Sequence, residues 1–132
     1  MSGMSRVVLD ASAVLAVLGG EPGAGQVIPL LGESAIGTIN LAEVHGKLVS
    51  KGVPKNEAWK AVLSSVREVI DFDLQQSKFV GELLAETRSL GLSLGDRACL
   101  ALGAVLKAPV YTTDRAWKPL KVGVEIRVLR SS

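Results

Sequence analysis

Four acidic residues, Asp10, Glu43, Asp96 and Asp114, stand at or just beyond the ends of short apolar runs, where a carboxylate can meet others instead of water. Four carboxylates brought together repel one another and raise each other's pKa unless a cation compensates. With oxygen ligands only, and no His or Cys beside them, such a set selects a hard ion such as Mg²⁺ or Mn²⁺ over zinc. An ion held that way activates water for attack on phosphorus and stabilises the leaving oxygen, and two ions divide those tasks. Taken singly, each acid has a simpler role. Asn40-x-x-Glu43 and Ser93-x-x-Asp96 have the form of helix capping boxes, Asp114 can cap a following turn, and Asp10 can end a strand. Capping does not require all four to converge, whereas metal chemistry does.

The elements that must position them follow from pattern. Val7-Val8-Leu9 is a strand ending at Asp10, after which Ser12 caps a helix over 13–18 stopped by Gly19-Gly20. Helices are expected over 24–31, 41 to about 50, 55–66, 73 to about 90 and 94–106, with a short turn over 115–120. Strands are expected over 34–37, 69–72, 109–112 and 125–129. Short apolar strands alternating with helices predict an α/β domain with a mostly parallel sheet, which binds ligands beyond the carboxyl ends of its strands. Asp10 and Asp114 follow strands, and Glu43 and Asp96 lie in first turns of helices. Parallel, neighbouring strands bring the four to one edge.

Bulk properties agree. A length of 132 residues fits one domain, 1–132, and 48% hydrophobic content supplies a core. The net charge of +2 is too small to announce nucleic acid by itself. The single Cys99 excludes an intramolecular disulfide and a multi-cysteine zinc site. No apolar run approaches the roughly 20 residues of a membrane span, and Asp10 interrupts the first apolar stretch, so a soluble cytoplasmic protein is expected.

Four segments carry a family resemblance. Val7-Val8-Leu9-Asp10-Ala11-Ser12 is similar to the opening motif of PIN domains, and Ile39-Asn40-Leu41-Ala42-Glu43-Val44 resembles the second. Leu92-Ser93-Leu94-Gly95-Asp96-Arg97-Ala98 resembles the third motif of the VapC branch, and Val110-Tyr111-Thr112-Thr113-Asp114-Arg115 the fourth. They occur in order across nearly the whole chain. The resemblance implies a PIN-like three-layer α/β/α fold with a five-stranded sheet. It also implies one or two Mg²⁺ or Mn²⁺ ions on Asp10, Glu43, Asp96 and Asp114, with Ser12, Asn40 and Thr112 in support. The implied activity is that of a metal-dependent endoribonuclease, the toxin of a VapBC-like toxin–antitoxin pair, hydrolysing RNA to a 5′-phosphate and a 3′-hydroxyl. The implied partners are RNA, a VapB-like antitoxin and a second copy of the chain. Ala11 stands where many members carry Thr or Ser, and Glu21 matches a habitual acid of the branch, expected at the outer rim.

Arg97 and Arg115 each follow a site acid and are candidates to clamp RNA phosphates; Lys47 and Lys51 can extend that track, although Lys47 can also pair with Glu43. His45, two residues from Glu43, falls on another helical face and is expected at the surface. Cys99 reads as a buried thiol, and Trp59 and Trp117 as core or interface residues. Another class of function is a PIN-like RNA-binding or assembly module that does not cleave. A phosphoacceptor receiver domain would need a second acid beside Asp10 and a Lys after 110–112, and the chain has neither.

Overall fold

In the computed structural model, which describes residues 5–130, the centre of the molecule is a short apolar strand, β1 (Val7–Leu9), buried on both faces. It pairs in parallel with β2 (Ser34–Gly37) on one side, Val8 opposite Ala35, and with β4 (Val110–Thr112) on the other, Leu9 opposite Tyr111. The outer strands β3 (Glu68–Ile70) and β5 (Ile126–Val128) complete an all-parallel sheet of order β3-β2-β1-β4-β5. Side chains alternate across a strand, and the core divides accordingly. Val7, Leu9 and Ile36 pack with Val14, Leu41, Val44 and Val62 on one face. Val8 and Val110 pack with Leu100, Leu102 and Trp117 on the other.

The first face is covered by α1 (Ala11–Gly19), α2 (Ala24–Val27), α3 (Thr38–Ser50) and α4 (Lys55–Ser65). The second is covered by α7 (Leu94–Leu106), with α5 (Leu74–Glu82) packed on α7 and α6 (Leu84–Thr87) following α5. The expected three-layer α/β/α arrangement is the one observed. Among the described residues no single helix is long and apolar enough to cross a membrane.

Several boundaries differ from the sequence expectation. The helix expected over 24–31 is α-helical only to Val27 and continues as a 3-10 turn, Ile28–Glu33, because Pro29 has no N–H for an α-type bond. The long helix expected from 73 to about 90 is divided into α5, α6 and a 3-10 turn, Arg88–Leu90. Gly81 weakens that helix near the division, while past it the Leu83 carbonyl accepts from both the Thr87 hydroxyl and Thr87 N, at 2.7 and 3.1 Å. α3 starts at Thr38, a turn earlier than expected, so Asn40 and Glu43 lie inside the helix and form no capping box. α1 is capped by Asp10 and not by Ser12.

Candidate active site

The order of the sheet reverses between β1 and β4, and such sheets bind ligands beyond the carboxyl ends of the strands at that point. Asp10 leaves β1 in extended conformation and caps α1, its Oδ1 accepting from Ala13 N at 2.8 Å and from the Ser12 hydroxyl at 2.7 Å. Ser12 Oγ in turn accepts from Thr113 N at 2.9 Å and lies 3.4 Å from Thr112 Oγ1. Thr112 Oγ1 accepts from Asp114 N at 3.0 Å. The two hydroxyls thus tie the end of β1 to the end of β4 and hold the backbones of Asp10 and Asp114 in fixed relation.

Glu43 arrives from α3. The buried Asn40 donates from Nδ2 to Glu43 Oε1 at 2.8 Å and to the Gly95 carbonyl at 3.1 Å, joining α3 to the first turn of α7. Asp96 lies in that same turn. Its carboxylate accepts from Ser93 N at 2.9 Å while Ser93 Oγ accepts from Asp96 N, the capping box that the sequence pattern describes.

Two buried groups feel the charges of these acids. Burial raises Asp10, only 4% exposed, from its ordinary 3.8 to about 6; hydrogen bonds from Thr112, Ser12 and Ala13 pull downward, and the charge of Asp96 adds to the rise. Burial pushes the Cys99 thiol well up, helped by Asp10, Asp96 and Glu43. A thiolate so disfavoured is inert, in keeping with Cys99 as a structural residue. Asp114 is farther out, exposed, with its carboxylate accepting from Ala116 N at 2.9 Å.

The four acids do not form a closed cage as they stand. Among the described residues no three His, Cys, Asp or Glu side chains are close enough to hold an ion together. The reason is visible in the bonding, since Asp96 and Asp114 turn their carboxylates back onto backbone N–H groups of their own caps. The chemistry of the donors still fits a hard divalent cation. Asp10 is buried and driven toward protonation. A cation bound beside it would favour its charged form.

Around this centre, Arg97 is half-buried, and its Nε donates to the Ser93 carbonyl of its own helix at 3.4 Å. Arg115 lines a neighbouring cleft of about 280 Å³ with Glu21, Pro22, Thr113 and Arg130. Arg130 is an addition, since the sequence pattern gave no reason to bring the end of the chain beside Glu21. Gly95 is another, its only sequence signal being its place directly before Asp96.

Lys47 makes no ion pair with Glu43 among the described residues, because Asn40 holds that carboxylate. His45 is half-buried rather than a plain surface residue, packed edge-on against Trp59 with ring centres 5.2 Å apart. Trp117 is wholly buried in the core, whereas Trp59 is 43% exposed.

The family model for the PIN domain matches residues 7–122. No curated protein sequence matches the chain. Among solved structures, the chain is similar to VapBC2 from Rickettsia felis bound to a DNA fragment from its promoter, with a TM-score of 0.73 and 22% identity over 94% of this chain and 98% of that one. It is similar to a toxin–antitoxin complex from Klebsiella pneumoniae, with a TM-score of 0.72 and 15% identity over 93% and 97% of the two chains. VapC20 of Mycobacterium tuberculosis, a sarcin-ricin loop cleaving toxin, aligns with a TM-score of 0.68 and 18% identity over 91% and 99%. At these identities the likeness is one of fold.

Proposed function

The chain belongs to the PIN domain family, and on that premise we propose that it is a metal-dependent endoribonuclease, the toxin of a VapBC-like toxin–antitoxin pair, with 1–132 working as one domain. The observation that carries this reading is the buried Asp10 at the end of β1, raised by burial and further by the charge of Asp96, with Glu43 joined to the turn of Asp96 through Asn40. Asp10, Glu43, Asp96 and Asp114 would hold Mg²⁺ or Mn²⁺. The ion, when bound, would neutralise charge on an RNA phosphodiester and activate water for attack at phosphorus.

The remaining work falls to side chains of the chain itself. Ser12 and Thr112 orient Asp10 and hold the backbone of Asp114, so that two acids from different strands keep a fixed separation. Asn40 holds Glu43 against α7. Arg115, at the cleft one residue past Asp114, is placed to receive a phosphate next to the reacting one. Arg97, whose Nε donates to the Ser93 carbonyl of its own helix, is a second candidate for that role.

A structured cellular RNA as substrate, a VapB-like antitoxin, a homodimer and a cytoplasmic setting complete the proposal. They draw on the fold shared with VapBC complexes and with a toxin that cleaves the sarcin-ricin loop. A non-cleaving RNA-binding module is the second reading, favoured by the capping duties of Asp96 and Asp114. Incubating purified protein with total cellular RNA and Mg²⁺ or Mn²⁺, against EDTA and Asp10→Asn controls, separates the two. Discrete fragments lost in both controls support the nuclease. Folded, antitoxin-free protein that leaves RNA intact supports the module.

A further inference from the structure

We infer that Gly95 is a positioning residue for Glu43: its missing side chain leaves a notch in the first turn of α7 that receives the Glu43 carboxylate, and Asn40 latches it there. The inference rests on the metal-site reading above. A glycine inside a helix is unfavourable and calls for a reason. Conformation does not supply one, because Gly95 is not among the residues with positive φ. Space does. A Cβ built on Gly95 would come within 2.6 Å of both Cδ and Oε2 of Glu43, and its three nearest atoms all belong to that one carboxylate.

Other helical glycines differ. Gly46 and Gly81 would meet nothing within 4 Å, and Gly103 would meet the apolar core. Gly19, the last residue of α1, would meet the Glu21 side chain only from 3.3 Å outward, so among the described glycines Gly95 alone has a charged group closer than 3.0 Å. The position is electrostatically apt, since the N-terminal turn of the 13-residue α7 carries positive partial charge. Asn40 closes the arrangement by donating to Glu43 Oε1 and to the carbonyl of Gly95 itself.

The size of the effect follows from the distances. Ordinary contact begins at 3.4 Å, so a methyl group at 95 would drive the carboxylate back by at least the difference from 2.6 Å, about 0.8 Å. Metal–ligand distances tolerate only about 0.2 Å, and Mg²⁺ in particular demands near-ideal octahedral geometry. Glu43 is exposed and ends a flexible side chain, so the fold can accept a retreat that the site cannot.

The test is Mn²⁺ titration of the full chain by calorimetry or electron paramagnetic resonance, together with melting in EDTA. Gly95→Ala is expected to weaken Mn²⁺ binding at least about tenfold, in line with losses seen when the support of a metal ligand is disturbed. Its metal-free melting temperature should equal or exceed that of the wild type, because alanine is the better helix former. Glu43→Asp, one methylene shorter, should cost less in the Gly95→Ala background than in the wild type, since it withdraws the carboxylate from the added methyl. Wild-type binding with an undiminished Gly95→Ala variant, strictly additive losses, or a lower metal-free melting temperature would each overturn the notch while leaving the metal site standing. Absence of Mn²⁺ binding by the wild type would overturn both.

Discussion

Replacing Asp10 by Asn should stabilise the metal-free protein at neutral pH while destroying its response to metal. The Asn Oδ1 can still accept from Ala13 N and the Ser12 hydroxyl, so the cap of α1 survives and only the charge goes. Asp10 is raised from 3.8 to about 6 chiefly by burial, which at about 1.4 kcal/mol per pH unit is a cost of up to about 3 kcal/mol for carrying the charge. A group whose pKa rises on folding binds its proton more tightly in the folded state. Its contribution is therefore fully present below 3.8 and is lost as pH climbs through about 6. Denaturant melts of both proteins in EDTA, from pH 4 to pH 8, isolate this residue because other carboxylates titrate in both. The variant should be the more stable of the two at pH 8, by about 1–3 kcal/mol, with the gap closing toward pH 4. Added Mn²⁺ should raise the melting temperature of the wild type alone, by mass action on the folded state. An Asp10→Asn variant less stable than the wild type at pH 8 in EDTA would refute the argument that burial governs this carboxylate.

Three further substitutions have defined outcomes. Asn40→Ala leaves Glu43 without its latch and the Gly95 carbonyl unpaired, so it should cost about 1–3 kcal/mol in denaturant melts and weaken Mn²⁺ binding in the same titration. Ser12→Ala unties β1 from β4. A loss of about 1 kcal/mol should accompany slower RNA cleavage, and unchanged cleavage would argue against the hydroxyl bridge. Gly103→Ala presses a methyl onto Val110 and to 3.0 Å from Val124 Cγ1, far from the acids. It should destabilise by about 1–3 kcal/mol while activity per folded molecule, measured on RNA, stays level.

Much of the fold was legible because it rests on local patterns. β1, β2 and α7 carry their own boundaries: an apolar run ended by Asp10, a run ended by Gly37, and the Ser93–Asp96 box opening an apolar helix. Elements fixed by competition between neighbours were not legible in the same way. α5 ends at Glu82, one residue past Gly81, although apolar periodicity alone would continue the helix. α3 begins at Thr38, before the expected cap at Asn40, because Gly37 takes the cap position at the end of β2.

Residue types along the chain already mark which groups could do the chemistry: four acids at element ends, hydroxyls at Ser12 and Thr112, and an amide at Asn40. Residue type and position in an element are local properties, readable along the chain. How those groups are used depends on contacts between elements far apart in the chain. Parallel pairing of β1 with β4 put Ser12 in reach of Thr112 and Thr113, a hundred residues away in the chain. Packing of α3 on α7 set Glu43 into the space at Gly95 and turned Asn40 from a supposed cap into a latch. Burial, likewise a property of the whole fold, is what raises Asp10 and creates the demand for a cation.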